Sequence, residues 1–397
     1  MSEKRRDNKN RILRTGESQR KDGRYAYKYI DTFGKPQFVY SWKLVPTDKT
    51  PAGKRDDIAL REKEKEIQKD LDDGIDHIGK KMTVCQLYAK QIHHRGNVRY
   101  NTKNGRKRLM KLLEEDKLGG CPIDSVKLSD AKEWAIRMKE KGISYKTISN
   151  DKRSLKAAFY TAIQDDCIRK NPFDFQLNTV IEDDTEPKVP LTPAQEESFL
   201  SFAQNDKVYQ KYYDELIILL GTGLRISELC GLTDTDIDFE NRIINVDHQL
   251  LRSAETGYYI ETPKTKSGIR QIPMSEKVYE AFNRVLKRRR GAKAVTIDGY
   301  SNFLFLNRDG YPKTATNYDG MFRGHAKKYN KYHEEALPKV MTPHTLRHTF
   351  CTNMANAGMN PKALQYITGH SNITMTLNYY AHATFDSAKA EMLRIAA

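Results

Sequence analysis

Hydrophobic and polar positions alternate strictly in two short stretches near the amino terminus. RYAYKYID (24–31) puts Tyr25, Tyr27 and Tyr29 on one face, and QFVYSWKLV (37–45) does the same with Phe38, Tyr40, Trp42 and Leu44. Broken by KDG and DTFGKP, this period of two predicts a small antiparallel sheet. A charged helix over 56–72 should cover it, with Asp56 and Asp57 favourable at its positive amino end. The arrangement expected is aromatics inside, Arg and Lys outside.

Residues 74–81 (GIDHIGKK) read as a linker, and from Thr83 the period lengthens to that of helices. TVCQLYAKQI, RKRLMKLLEED, SDAKEWAIRMKEKG and SYKTISNDKRSLKAAFYTAIQDD predict four of them, with Ser129 and Ser144 as N-caps of the last two. RKNPF (169–173) closes this group, and the acidic, proline-containing segment 181–190 reads as an interdomain linker. LTPAQEESFL then opens a new helix with Thr192 as N-cap and Pro193 at the first helical position. The remainder is helix-rich, interrupted by a strand at 242–248 and a hairpin pairing 258–263 with 269–273.

Composition narrows the class. The chain has 397 residues, 38% hydrophobic and 30% charged, which suits a soluble protein of two to three domains. No apolar run of transmembrane length is present, and MSEKRRDNKN lacks the apolar core of a secretory signal, so a cytoplasmic location and no membrane role are expected. Cys85, Cys121, Cys167, Cys230 and Cys351 are scattered without a CxxC pair, as buried thiols would be.

The net charge of +16 makes a polyanion the expected partner. Residues 1–55 hold 15 Lys and Arg against six acids, among them Arg24 and Lys28. Small basic sheets with a covering helix can enter a DNA groove. The helical region adds basic runs at Lys103, Arg106, Lys107, Arg108 and Lys111, and at Lys146, Lys152, Arg153 and Lys156. Each is either a solvated helix face or a contact to the DNA backbone.

Two stretches carry the candidate chemistry. GTGLRISELCGLT (221–233) presents Arg225 in a nearly uncharged setting, where a helix amino end can add its dipole. Residues 341–380 offer His344, Arg347, His348, His370, Tyr379 and Tyr380 with no Asp or Glu. A phosphodiester under attack gathers negative charge, and without a carboxylate cluster to hold Mg²⁺ two arginine forks can neutralise it. His344 and Arg347, three apart after Pro343, are neighbours on one helix face. His344 with His348 could instead hold a metal, but the Glu of HExxH is missing. His348 reads as a packed group. His370, in TGHSN, is either a helix-terminus residue or a donor to the same phosphate. Lys264 or Lys266, in ETPKTKSGIRQIP, could protonate a leaving oxygen, or could simply keep a turn soluble.

The combination Arg225 … Lys264 … HTLR (344–347) … GH (369–370) … Tyr379 resembles the tyrosine recombinase (phage integrase) family, throughout 190–397. HQLLR, YYIETPKTKSG and TLNYYAHATFDSA, with the basic amino-terminal sheet, are most similar to integrases of Gram-positive conjugative transposons. The fold implied is multidomain. It has a small α+β arm-binding domain (1–75; a three-stranded sheet plus helix), an all-α core-binding domain (82–180) and a mixed, mostly α catalytic domain (190–397). The resemblance implies Tyr379 as nucleophile of a 3′-phosphotyrosyl link, formed without ATP, metal or other cofactor. The YxH tail of some relatives would select Tyr380 instead. It further implies Arg225 and Arg347 as phosphate clamps, Lys264 as acid (or Lys266), His344 as acid/base and His370 as a phosphate donor.

The implied activity is excision and integration of a mobile element through a Holliday junction. The partners would be double-stranded DNA at core and arm sites, further protomers (dimer to tetramer) and accessory DNA-bending proteins. Residues 381–397 would pack as a helix on a neighbouring protomer. A type IB topoisomerase or a non-catalytic DNA-binding regulator are the competing readings.

Overall fold

The computed structural model describes residues 5–31, 34–76, 79–96, 98–186, 189–263, 265–289, 295–333, 336–338, 340–380 and 392–393. Lys264 lies outside them, as does the segment 381–397 apart from Met392 and Leu393. The chain divides into two compact units, 1–186 and 187–397.

The first unit opens with an antiparallel sheet of β1 (Glu17–Gln19), β2 (Tyr25–Ile30) and β3 (Pro36–Ser41), in that order. Tyr27 faces Val39 and Lys28 faces Phe38 across the β2–β3 pair. The period of two is correct, but its polarity differs between the strands. Tyr25 and Tyr29 are buried, whereas Phe38 and Tyr40 are exposed on the opposite face. There Arg24 lies over Tyr40 and Trp42, at 5.7 and 5.5 Å, and Lys28 over Phe38 at 6.0 Å. Cation–π contact lets an aromatic and a charge share a wet surface, so the aromatics of β3 are not the core.

Helix α1 (Leu60–Asp72) buries Leu60 and Ile67 and starts later than its sequence suggests. Asp56 and Asp57 precede it; they bind Lys43 and Lys63 rather than the helix end.

Four helices complete the unit: α2 (Val84–His94), α3 (Tyr100–Glu114), α4 (Leu128–Glu140) and α5 (Tyr145–Gln164). Their apolar stripes meet around Trp134, which packs edge-on to Phe173 at 5.8 Å. Ser144 holds the N-cap position of α5 as expected, but its hydroxyl donates to the Thr147 hydroxyl at 3.0 Å and caps no backbone amide. Ser129 does not cap α4: Lys127 holds that position, its amide donating to Asp130 at 2.8 Å.

The second unit begins at α6 (Pro193–Asn205), where Thr192 and Gln195 form a reciprocal capping box at 3.1 Å each way. Then follow α7 (Tyr213–Thr222), α8 (Ile226–Gly231), β4 (Ile237–Asp238), β5 (Ile243–Val246), β6 (Gln249–Ser253), β7 (Gly257–Glu261) and β8 (Arg270–Pro273). Helices α9 (Glu276–Arg289), α10 (Ala315–Tyr332), α11 (Pro343–Asn356), α12 (Pro361–Thr368) and α13 (Ile373–Leu377) close it.

The expected hairpin between 258–263 and 269–273 does not form. Strand β7 pairs with β6, and β8 pairs with β5 in the sheet β4-β5-β8. Residues Gln249–Ser253 supply the missing partner, closed by a short turn at which Gly257 takes φ +71°. Residues 262–269 are thereby a connection between two sheets.

Helix α10 buries His325 against Phe199, Phe202 and Tyr209, with ring centroids 4.3, 5.1 and 4.9 Å away. Burial pushes its imidazole from 6.5 down to about 4, with Asp206 opposing weakly. The folded unit therefore binds this proton less readily than the unfolded chain, so stability present above pH 6.5 is lost as pH falls towards 4. His325→Leu should shrink that loss, read as a flatter dependence of melting temperature on pH between 6.5 and 4.

Candidate active site

Arg225 and Arg347 come together through main-chain carbonyls. Helix α7 ends at Gly223, which is left-handed at φ +62°. A Cβ there would stand 2.4 Å from the Phe350 ring of α11, so the turn needs glycine twice over. Two residues on, Arg225 is the N-cap of α8. Arg347, buried on the second turn of α11, donates to the Gly223 carbonyl at 2.6 Å and to the Thr368 carbonyl at 2.5 Å. Arg225 donates to the next carbonyl, Gly369, at 2.9 Å. Each guanidinium has thus spent part of its five N–H donors on fixing its position.

Gly369 ends α12 at φ +64°. A Cβ on it would lie 2.8 Å from the Ser267 carbonyl oxygen and 3.2 Å from Arg270 Nη1. The TGH turn is therefore glycine for conformation and for space.

The next residue, His370, is buried, and its Nδ1 faces the Thr376 hydroxyl at 2.9 Å. Burial, then the charges of Arg347 and Arg225, pull it down to about 4, so it is neutral at pH 7. Arg347 is itself lowered to about 10 by burial and by Arg225, and stays charged.

Tyr379 follows α13 and rests on the small cluster of Phe350, Cys351 and Leu364. Its ring lies 4.9 Å from His348, edge-on, and 6.3 Å from His370, in parallel. Burial pushes the phenol up to about 12; Arg347 pulls the other way. The Tyr380 hydroxyl is committed differently, donating to the Met359 carbonyl at 2.5 Å. His344, on the first turn of α11, is exposed, so it does not share the burial of Arg347. Lys266 is exposed in the turn Lys266–Gly268.

A cleft of roughly 380 Å³ is lined by Arg225, Glu228, Gln249, Thr265, Gly369 and His370, among others. Sequence reasoning passed over two of the charged groups that build it. Glu228, buried in α8, accepts from the Arg225 amide at 2.8 Å and from its Nη1 at 2.7 Å. Arg270, fully buried, grips the same carboxylate at 3.0 and 2.9 Å. A signal existed: Arg270 shares strand parity with Ile272, a core position, and a charge there needs a buried partner.

The candidate DNA contacts lie in the first unit. Lys28, Lys103, Lys107, Lys146 and Arg153 are exposed, and Arg24 and Arg106 half-buried. Lys103, Arg106, Lys107 and Lys111 line one groove with Ile92, Val98 and Met110. Lys152 and Lys156 are diverted to the Phe175 carbonyl and to Asp174.

Asp236, Asp247 and His248 are the metal-type cluster among the described residues, with ligand atoms within 4.8 Å of one another. His248 already aims its two nitrogens at different oxygens, Asp247 at 2.5 Å and the Gly231 carbonyl at 2.8 Å. That arrangement suits a structural histidine.

The profile of the phage integrase family matches residues 190–387, and that of the DNA-binding domain of Tn916 integrase matches residues 1–71. The transposase from transposon Tn1545 of Streptococcus agalactiae is 71% identical over 395 residues, covering 100% of this chain and 97% of that one. The transposase from transposon Tn916 of Enterococcus faecalis is 70% identical with the same coverage.

The chain belongs to the phage integrase family, the tyrosine recombinases.

Among solved structures, Tn1549 transposon integrase (residues 82–397, R225K) in complex with a circular intermediate DNA is 77% identical. It matches at a TM-score of 0.76, covering 79% of this chain and 99% of that one. The same integrase carrying Y379F, in complex with transposon right end DNA, matches at 0.75. The mixed helical catalytic fold expected of an integrase is thus the one present.

Gly369→Ala should cost about 1–3 kcal/mol from the left-handed backbone alone. Urea unfolding should show it as a lower midpoint, with the Ser267 contact adding to the loss.

Proposed function

We propose that this integrase-family chain is a site-specific recombinase that excises and integrates a conjugative transposon. It works through a 3′-phosphotyrosyl intermediate and exchanges strands through a Holliday junction. The observation that carries this reading is the anchoring of Arg225 and Arg347 on the consecutive carbonyls of Gly369 and Thr368, beside His370 and Tyr379. Support comes from the Tn916 and Tn1545 transposases and from the Tn1549 integrase in complex with DNA.

In this reading the scissile phosphate sits between the two guanidinium forks, which take up the charge that grows on its non-bridging oxygens. The Tyr379 oxygen attacks phosphorus, its proton passing to His344. The bond to the 5′ oxygen breaks, and that oxygen takes a proton from Lys264, or Lys266 in its place. Neutral His370, with Nδ1 accepting from Thr376, presents Nε2–H to the phosphate. Bond energy is kept in the phosphotyrosyl link, so rejoining needs neither ATP nor a metal.

Residues 1–75 take the arm sites through the face bearing Arg24 and Lys28. Residues 82–180 take the core sites, with Lys103, Arg106, Lys107, Lys146 and Arg153 at the backbone. Residues 190–397 cut. The protein acts in the bacterial cytoplasm, as a dimer to tetramer on DNA, with DNA-bending proteins as accessory partners. No helix among the described residues is long and apolar enough to cross a membrane.

Incubation with a nicked suicide duplex carrying the circular-intermediate junction tests the chemistry. Tyr379→Phe should still bind but leave no SDS-resistant adduct, while Tyr380→Phe keeps it. An adduct surviving Tyr379→Phe would move the role to Tyr380, and no adduct from the native chain would favour a regulator.

Removing residues 1–75 should spare core-site cleavage while weakening binding to the arm sequence, as read by gel shift. Equal loss of both would mean that the parts do not act independently.

A further inference from the structure

Arg270 does not line the cleft but stands behind Glu228, its side chain wholly enclosed at 0% exposure. Its donors reach three separate segments. Nε donates to the Ile367 carbonyl of α12 at 2.6 Å, and Nη1 to the Gly268 carbonyl at 3.0 Å. Nη1 and Nη2 together hold the two oxygens of Glu228 in α8. Those same oxygens accept from Arg225, one from its Nη1 and the other from its amide. Ile367 directly precedes Thr368 and Gly369, whose carbonyls anchor Arg347 and Arg225.

A buried ion pair of this kind is a poor device for stability, since apolar groups of similar volume commonly serve as well or better. Its geometric consequence is larger. A carboxylate held fork-on from one side can turn only towards the other side, and Arg225 is there. We propose that Arg270 is a positioning residue for DNA cleavage: through Glu228 it fixes the guanidinium of Arg225 where the scissile phosphate binds, without touching DNA itself.

Burial drives the Glu228 carboxyl up and the Arg270 pair brings it below its ordinary value. Without Arg270 the carboxylate would lose the partner that sets its direction, and Arg225 would keep only its Gly369 anchor as a fixed contact. The inference rests on the reading of this cleft as a tyrosine-recombinase active site.

The test compares two nicked suicide duplexes, one with the ordinary scissile phosphodiester and one with a methylphosphonate there. The methylphosphonate is uncharged and has lost one non-bridging oxygen, so it makes less demand on a paired guanidinium clamp. Arg270→Met is the direct variant. Because it strands a buried carboxylate, the double variant Arg270→Met with Glu228→Gln, which removes both charges, is measured beside it, with melting temperature as the check on folding.

On the phosphodiester both variants should form adduct about 10- to 100-fold more slowly than the native chain, the scale of a misplaced reacting group. On the methylphosphonate they should come close to the native rate. An equal loss on both duplexes from a folded double variant would make Arg270 merely structural, and an undiminished rate on the phosphodiester would remove it from cleavage altogether. A native chain that labels neither duplex would overturn the active-site reading itself, and this inference with it.

Discussion

Two guanidinium groups, distant in sequence, are anchored on three carbonyl oxygens: Gly223 and Thr368 for Arg347, and Gly369 for Arg225. Like charges brought together and partly buried repel, and the lowering of Arg347 to about 10 registers both the burial and the repulsion. The protein offsets this with carbonyl dipoles and with a single carboxylate, Glu228, which also has to serve Arg270. Three cations around one anion leave positive potential in the cleft. On the reading proposed above, a phosphate completes the arrangement, and donors fixed beforehand meet the condition for electrostatic stabilisation without reorganisation.

Carbonyls can serve as anchors only where the backbone exposes them. Those at Gly223 and Gly369 belong to left-handed helix ends, where a side chain would be strained; at both positions it would also collide, with Phe350 in one case and Ser267 in the other. Helix α11 takes part twice, since Phe350 packs on Gly223 three residues after Arg347 bonds to it. Packing and charge placement are therefore one feature: the glycine that lets α7 approach α11 also supplies the oxygen that aims Arg347.

This explains what could be read in the chain and what could not. Arg225 and Arg347, which the structure brings together, stand out because each lies in a compact local motif, a helix start after TG and a proline-led helix; His370 and Tyr379 stand out only through the family resemblance. The alternation of β2 and the capping box at Thr192 were equally local. Strand pairing is not local. The pairing of β7 was misassigned because two candidate partners, HQLLR and IRQIP, flank it at similar distance, and only the tertiary position of β5 claims the second. Phe38 and Tyr40 misled for a related reason: period two assigns residues to a face but does not say which face is wet. Glu228 and Arg270 escaped because each looks ordinary alone, a first-turn acid and a strand arginine. Their meaning comes from a contact 42 residues apart in sequence.

The state of Tyr379 fits a nucleophile at rest. Its phenol is raised to about 12 by burial, so at neutral pH it holds its proton and is a poor attacking group. Arg347 already opposes that shift. On the proposed reading, the guanidinium donors turn to the bound phosphate, and the phenol loses its proton as it attacks rather than beforehand. Tyr380 sits differently, because its hydroxyl would first have to give up the Met359 carbonyl. In the same reading, a cationic cleft beside a protonated tyrosine leaves the phenol unreactive until a phosphate is bound.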